Sequence, residues 1–184
     1  MKLILCAATC LVALAAYAQP LPPPGGASGN GTISTIYTYG NSTGVGNGAD
    51  TTEDTLLTFN IPAGTLAAVG DRIRIFANGS FAASTDTKTA RIRLTGTGSA
   101  LQGISGVAAG NTAWSIYMEV QKTGASSQQQ ASYSIVASGG VNVISAALTL
   151  VDTAAIVLTV TGQNSTTATA NTITVKYATV EYQP

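Results

Sequence analysis

Three carboxylates stand close together in the chain and form its densest acidic cluster, namely Asp50, Glu53 and Asp54. Carboxylate oxygens are the hard ligands that calcium prefers, and this cluster lies where a polar stretch passes into an apolar run. Its spacing matches no EF-hand loop. A calcium site and a plain solvated turn are both open interpretations; the sequence favours the turn, so we predict no metal ligands.

The side chains that most often carry catalysis are scarce. The chain has no histidine, and its two cysteines, Cys6 and Cys10, both lie in the N-terminal apolar run. A Ser-His-Asp arrangement is therefore impossible, no GxSxG elbow stands between a strand and a helix, and the glycine stretches lack the ending of a phosphate-binding loop. The other carboxylates are scattered and form no sequence pattern of a glycosidase pair. We predict no enzymatic activity, no catalytic residue and no cofactor.

Two further features resemble glycan sites. Trp114 is the only tryptophan and could stack against a sugar, but it is in phase with Ile116, Met118 and Val120, which favours packing in the core. Four Asn-X-Ser/Thr triplets match the N-glycosylation pattern and also suit turns. We assign no role to these triplets, which begin at Asn30, Asn41, Asn78 and Asn164.

Charge is sparse and balanced. Charged residues make up 9% of the chain and the formal net charge is zero, whereas about a quarter of an ordinary globular chain is charged. The arginine pairs Arg72/Arg74 and Arg91/Arg93 have the i, i+2 spacing that places both side chains on one face of a strand. They form no basic patch, so nucleic acid is excluded as a partner. A surface of Ser, Thr, Asn, Gln and Gly suits contact with proteins or glycans.

Alternation of apolar and polar residues is the dominant pattern after residue 53. From Arg72 to Phe81 and from Trp114 to Gln121, every second residue is apolar or small, which indicates strands with one buried face. Asn78-Gly79 is also a hairpin signal, yet the apolar phase continues across it, so we expect one long strand. The sequence thus predicts an all-β fold, an antiparallel jelly-roll-like β-sandwich of about eight or nine strands.

The N-terminal part divides into two segments before the sandwich, which we place at residues 53 to 184. Residues 1 to 18 have a basic start, a short apolar stretch and the small-residue site Ala16-Tyr17-Ala18. Together these features are the pattern of a signal peptide. The alternative is a retained hydrophobic peg. Residues 19 to 52 are rich in Pro and Gly and predict a tether with one short strand at 33 to 39 and loop from 40 to 52.

Several short motifs, in this order, resemble a domain of tailed-phage virion proteins over about residues 53 to 182. They are Glu53-Asp54-Thr55-Leu56, Ile61-Pro62-Ala63-Gly64-Thr65-Leu66, Gly70-Asp71, Gly79-Ser80-Phe81-Ala82, the Trp114 strand, Val160-Thr161-Gly162-Gln163-Asn164 and Asn171-Thr172-Ile173-Thr174-Val175. The resemblance implies a tumour-necrosis-factor-like jelly roll, usually a homotrimer, from head fibres, capsid decorations or tail-fibre tips. It transfers no functional residue, so the binding surface is unknown at this stage.

The expected function is therefore a non-enzymatic phage virion surface protein that acts as an oligomeric structural or adhesion module. Its partners would be its own copies, virion capsid or tail proteins bound through the N-terminal segment, and a host-surface glycan or protein. The alternative is an exported bacterial cell-surface or matrix protein, an adhesin or filament subunit whose strand at 33 to 39 completes a neighbour's sheet. Its location would then be secreted or cell-surface.

Overall fold

The computed structural model describes residues 32–84, 86–95, 102–107, 112–136, 141–167, 170 and 172–184. The segment at 1 to 18 and most of the proline-rich part of the tether lie outside these residues. Every regular element of the described chain is a β-strand, and none of it forms a helix that could cross a membrane. The strands are β1 (Ser34–Gly46), β2 (Asp54–Ile61), β3 (Arg72–Phe81), β4 (Thr87–Leu94), β5 (Gln102–Val107), β6 (Thr112–Gly124), β7 (Ser127–Val136), β8 (Val141–Leu148), β9 (Ile156–Asn164) and β10 (Ile173–Gln183).

The strands form two antiparallel sheets. One has six strands in the order β1-β10-β3-β6-β7-β8, and the other has four in the order β2-β9-β4-β5. Without β7 and β8, the remaining eight strands have the two-sheet arrangement of a jelly roll. The β7–β8 hairpin extends one edge of the larger sheet. The predicted all-β, jelly-roll-like sandwich is confirmed, with ten described strands where about eight or nine were expected.

Alternation in the sequence becomes alternation of burial in the structure. In β3, residues Ile73, Ile75, Ala77, Gly79 and Phe81 are buried and the residues between them are partly exposed. The strand runs through Asn78-Gly79 without a turn, as predicted, and pairs with β6 without a register shift from Arg72 to Phe81. Apolar residues from both sheets meet in one core between them.

The first strand is longer than the sequence indicated. We predicted a short strand at 33 to 39 and a loop from 40 to 52, but β1 continues to Gly46 and pairs with β10 along its length. Two register shifts in this pairing, between Thr35 and Tyr37 and between Gly40 and Val45, accommodate the Gly-, Asn- and Ser-rich part. The sandwich therefore begins at β1, before residue 53.

Strand β1 also contacts the smaller sheet. The rings of Tyr37 in β1 and Phe59 in β2 stack with centroids 4.3 Å apart. Since β1 completes the sheet of its own chain here, donating it to a neighbour's sheet would require breaking its pairing with β10.

Candidate interaction surface

The outer face of the six-stranded sheet carries a row of large side chains that crosses four strands. Phe76 in β3 lies opposite Tyr117 in β6, Tyr117 lies opposite Tyr133 in β7, and Tyr133 lies opposite Val143 in β8. Residues directly opposite in antiparallel strands have neighbouring side chains on the same face. We call these four residues the apolar row.

Two rings of the apolar row stack on each other, and the third contacts a tyrosine beside the row. Tyr117 and Tyr133 stack with centroids 5.2 Å apart and an interplanar angle of 24°, while Phe76 meets Tyr177 of β10 at 6.1 Å in a tilted arrangement. Each stacked tyrosine covers one face of the other, which removes that face as a platform for a sugar. Beside them, Val141 and Val143 border a shallow groove of about 470 Å³ that suits apolar side chains.

Strand β7 buries its polar side chains and exposes its apolar ones. Gln128, Gln130, Ser132 and Ser134 of β7 are buried towards the other sheet, whereas Tyr133 and Ile135 of β7 face solvent together with Val141 and Val143 of β8. The exposed fractions of these apolar side chains are 43% for Tyr133, 42% for Ile135, 64% for Val141 and 73% for Val143. A cluster of exposed apolar side chains on one strand pair is the type of surface that marks an interaction site.

Hydrogen bonds explain how the hairpin tolerates buried polar groups. The Gln128 amide bridges the backbone of Leu150, accepting from its N–H at 2.7 Å and donating to its carbonyl at 3.4 Å. The Gln130 amide donates to the Ser132 hydroxyl at 2.8 Å, and the Ser134 hydroxyl donates to the Gly103 carbonyl of β5 at 3.1 Å. Since these groups have partners, burying them carries no unsatisfied-polar penalty.

Charge is segregated along this face. The sequence contains no Asp, Glu, Lys or Arg from Thr123 to Val151, a stretch that includes the whole β7–β8 hairpin. On β3 and β6, by contrast, Arg74 donates to Glu119 at 2.9 Å, and Tyr117 donates to the same carboxylate at 3.2 Å. Burial, followed by the negative charge of Glu119, raises the pKa of Tyr117, so its hydroxyl stays protonated as a donor.

The acidic cluster found in the sequence is divided among three different sets of contacts. Glu53 receives two hydrogen bonds of 2.6 Å from Arg93 and one of 3.2 Å from Arg91. Asp54 accepts from the Gly48 backbone N–H at 2.8 Å, and Asp50 accepts from Thr52. Within the described ranges, no group of three potential metal ligands converges. Arg91 and Arg93 lie on one face of β4, as predicted for this pair, and both bind Glu53.

Hydrogen bonds from Arg93 are the largest cause of the low pKa of Glu53, which falls from 4.5 to about 2. The Thr161 hydroxyl also donates to this carboxylate and acts in the same direction. The Glu53 side chain therefore stays ionised, and it connects β4, through Arg91 and Arg93, with β9, through Thr161.

Two lysines are held inside the sandwich. Lys122 at the end of β6 forms an ion pair with Asp152, and their side chains are 8% and 11% exposed. Lys88 in β4 is buried and donates to the Ser84 hydroxyl and, at 3.3 Å, to the Asp86 carbonyl. Burial lowers the pKa of Lys88. Both lysines are held by partners close to strand ends.

The glycan candidates that the structure describes lie in strands: Trp114 in β6, Asn41 in β1, Asn78 in β3 and Asn164 at the end of β9. Trp114 is 1% exposed and its ring packs 6.2 Å from that of Phe81, which confirms the core interpretation. Asn164 is also buried, and its amide oxygen accepts from the Thr172 hydroxyl at 2.9 Å. Asn30 lies outside the described residues.

The apolar row was not found from the sequence, although two signals for it were present. Residues 132 to 135 alternate as Ser-Tyr-Ser-Ile, and the surrounding 29 positions from Thr123 to Val151 hold no charge. Comparison with known proteins adds no further guide to the site, because no family model, curated protein or solved structure matches this chain.

Proposed function

We propose that this protein is a non-enzymatic, oligomeric structural or adhesion module of a phage virion surface, of the head-fibre, capsid-decoration or tail-fibre type. The sandwich would project from the particle, and its N-terminal segment would attach to capsid or tail proteins. Repeated copies would raise weak contacts with a host-surface glycan or protein to a useful avidity.

The observation that carries the proposal is the exposed, uncharged apolar surface of the β7–β8 hairpin on an otherwise ordinary jelly roll. Tyr133, Val141 and Val143 remain in solvent although β7 buries glutamine and serine. An isolated domain would gain free energy by placing these residues inwards. Their position is explained if another protein surface covers them in the assembled state.

The ionisable residues support a structural role. Glu53 joins Arg91 and Arg93, and Lys122 joins Asp152. These carboxylates and cations are engaged with each other at strand ends and across neighbouring strands, where they stabilise the sandwich. The motif resemblance to phage virion proteins adds the expected location.

Immunogold electron microscopy of particles and cells from the source culture tests the location. An antibody raised against the full-length protein should label capsids or tails of purified virions. Gold on the surface of uninfected cells, with none on particles, would contradict the virion proposal and support the exported surface protein instead. Protein mass spectrometry of the same purified particles provides an independent check, because a virion protein must be present among their components.

A further inference from the structure

The outer edge of β8 is an unprotected sheet edge. Among the residues that the structure describes, β8 is the last strand in the order of the larger sheet. One side of a terminal strand carries backbone N–H and C=O groups that point away from the sheet, so a terminal strand can pair with another chain. Natural proteins usually block such edges with charged side chains, prolines or bulges.

Strand β8 has none of these blocking features. Its sequence, VNVISAAL, contains no charge and no proline. Its pairing with β7 continues without a register shift from Gln128↔Leu148 to Ile135↔Val141. At the opposite edge, β1 contains two register shifts in its pairing with β10. The edge strand β2 of the smaller sheet begins at Asp54 and also contains a shift.

We propose that β8 pairs antiparallel with β8 of a second copy across a two-fold axis, joining two six-stranded sheets into one continuous sheet. This inference rests on the proposed oligomeric function and names the contact that would produce it. The exposed apolar side chains Val141 and Val143 of both copies would then lie on the same face beside the new strand pair. Each copy would extend the other's apolar row.

Symmetry and charge both favour a second copy as the occupant. A strand paired antiparallel with itself makes every contact twice about the two-fold axis, so one strand supplies both sides of the interface. Identical charged strands would place like charges near one another and repel. The uncharged stretch from Thr123 to Val151 lets two identical hairpins approach without this penalty. A foreign strand would not need such neutrality, since opposite charges would strengthen its binding.

The inference can be separated from the trimer that the motif resemblance implies. A two-fold contact produces an even number of subunits, as a dimer or as paired trimers, whereas the trimer alone would use another surface. Multi-angle light scattering of the full-length protein across a dilution series measures this number. We expect an even number of subunits.

The variant Val143→Lys tests the position of the contact. Val143 is 73% exposed, so the change should leave the fold intact while placing a cation on the proposed edge. We expect the assembly mass to fall by a factor of two. The matched control is Val69→Lys, at a 68% exposed valine between β2 and β3, which should keep the wild-type mass. If Val143→Lys fails to fold, as judged by its thermal transition, Ala147→Lys on the same exposed face takes its place.

Backbone amide hydrogen exchange identifies the bonds themselves. Amides of residues 143 to 147 that point outwards should exchange slowly in the wild-type assembly and rapidly in the Val143→Lys variant. Slow exchange in both proteins would overturn the pairing, as would a different polypeptide found bound at β8.

The outcomes distinguish the two proposals. A wild-type trimer, or an even assembly whose mass Val143→Lys leaves unchanged, overturns the β8 contact and leaves the oligomeric function standing. A wild-type monomer throughout the dilution series overturns both the β8 contact and the oligomeric function.

Discussion

Gly79 lies where two strands approach so closely that no side chain fits. A Cβ atom at this position would lie 1.7 Å from the Thr174 carbonyl oxygen of β10 and 2.7 Å from the Trp114 ring. The first of these contacts is with backbone, which cannot rotate aside. The pairing of β10 with β3 is irregular at this point, between Val175 and Tyr177.

Gly79→Ala should therefore lower the free energy of unfolding by about 3 kcal/mol or more, at the upper end of ordinary overpacking. Urea unfolding followed by Trp114 fluorescence measures the loss. Gly40→Ala is the matched control, because a Cβ there has nothing within 4 Å. It should change stability by less than about 1 kcal/mol. Equal effects of the two changes would contradict the close approach at Gly79.

Glu53 should make stability depend on acid pH. Its pKa is about 2 in the folded protein, against an ordinary value of 4.5. Because folding lowers this pKa, its stabilising contribution is complete above about pH 4.5 and is lost as the pH falls towards 2. The side chain is 23% exposed and solvent screens the pairs, so we expect a contribution of about 1 to 2 kcal/mol.

Denaturant unfolding at several pH values between 2 and 7, for wild type and Glu53→Gln, measures this contribution. The wild type should lose more stability than the variant as the pH falls, because glutamine cannot titrate. Parallel pH profiles for the two proteins would show that Arg91 and Arg93 do not depress the pKa of Glu53.

At the scale of the element, the β7–β8 hairpin depends on its buried glutamines. Gln128 is 1% exposed and bridges both backbone groups of Leu150. Gln128→Ala would leave those groups without their partner and should cost about 1 to 3 kcal/mol of unfolding free energy. Thermal or urea unfolding measures the change. Gln129→Ala, on the exposed face of the same strand, should cost less than about 0.5 kcal/mol. A larger loss of stability at Gln129 than at Gln128 would show that the even-numbered residues of β7 do not face the core.

The same hairpin shows where sequence reasoning ends. Alternation in β3 predicted both the strand and its buried face, because the apolar set of Ile73, Ile75 and Phe81 matches the core. In β7 the alternation again predicts a strand, but burying the apolar set would select the wrong face. Only contacts far away in sequence, such as that of Ser134 with Gly103, place the polar residues inside. The apolar row depends on which face of β7 is buried; the alternation and the lack of charge indicate an unusual strand, but they do not determine that face.

Strand β1 shows a second limit of local reasoning. Gly40, Asn41 and Gly44 are turn formers, so residues 40 to 52 were predicted as loop. Pairing with β10, more than a hundred residues later in the chain, keeps β1 extended to Gly46. Within the irregular part of β1, the Asn41 side-chain oxygen accepts a hydrogen bond of 3.0 Å from the backbone N–H of Thr43. Long-range pairing here outweighs local preference.

At the scale of the whole molecule, β1 and β10 bring the two ends of the described chain into one sheet. β10 lies between β1 and β3, so both of its edges are paired. Ile36, Tyr37 and Tyr39 of β1 pack against the core. Removing β1 would expose these contacts and turn a central strand into an edge.

We therefore expect a sharp difference between two truncated proteins. The fragment of residues 33 to 184 retains every described strand and should unfold in one cooperative transition. The fragment of residues 53 to 184 follows the boundary drawn from the sequence but lacks β1. It should lose several kcal/mol of stability, since burying each large apolar side chain contributes about 1.5 to 3 kcal/mol. It should also aggregate through the freed edge of β10.

Urea unfolding and light scattering of both fragments measure these effects. Equal stability and solubility would show that β1 is an appendage of the sandwich, whereas the expected loss would establish it as a structural strand on which the larger sheet depends.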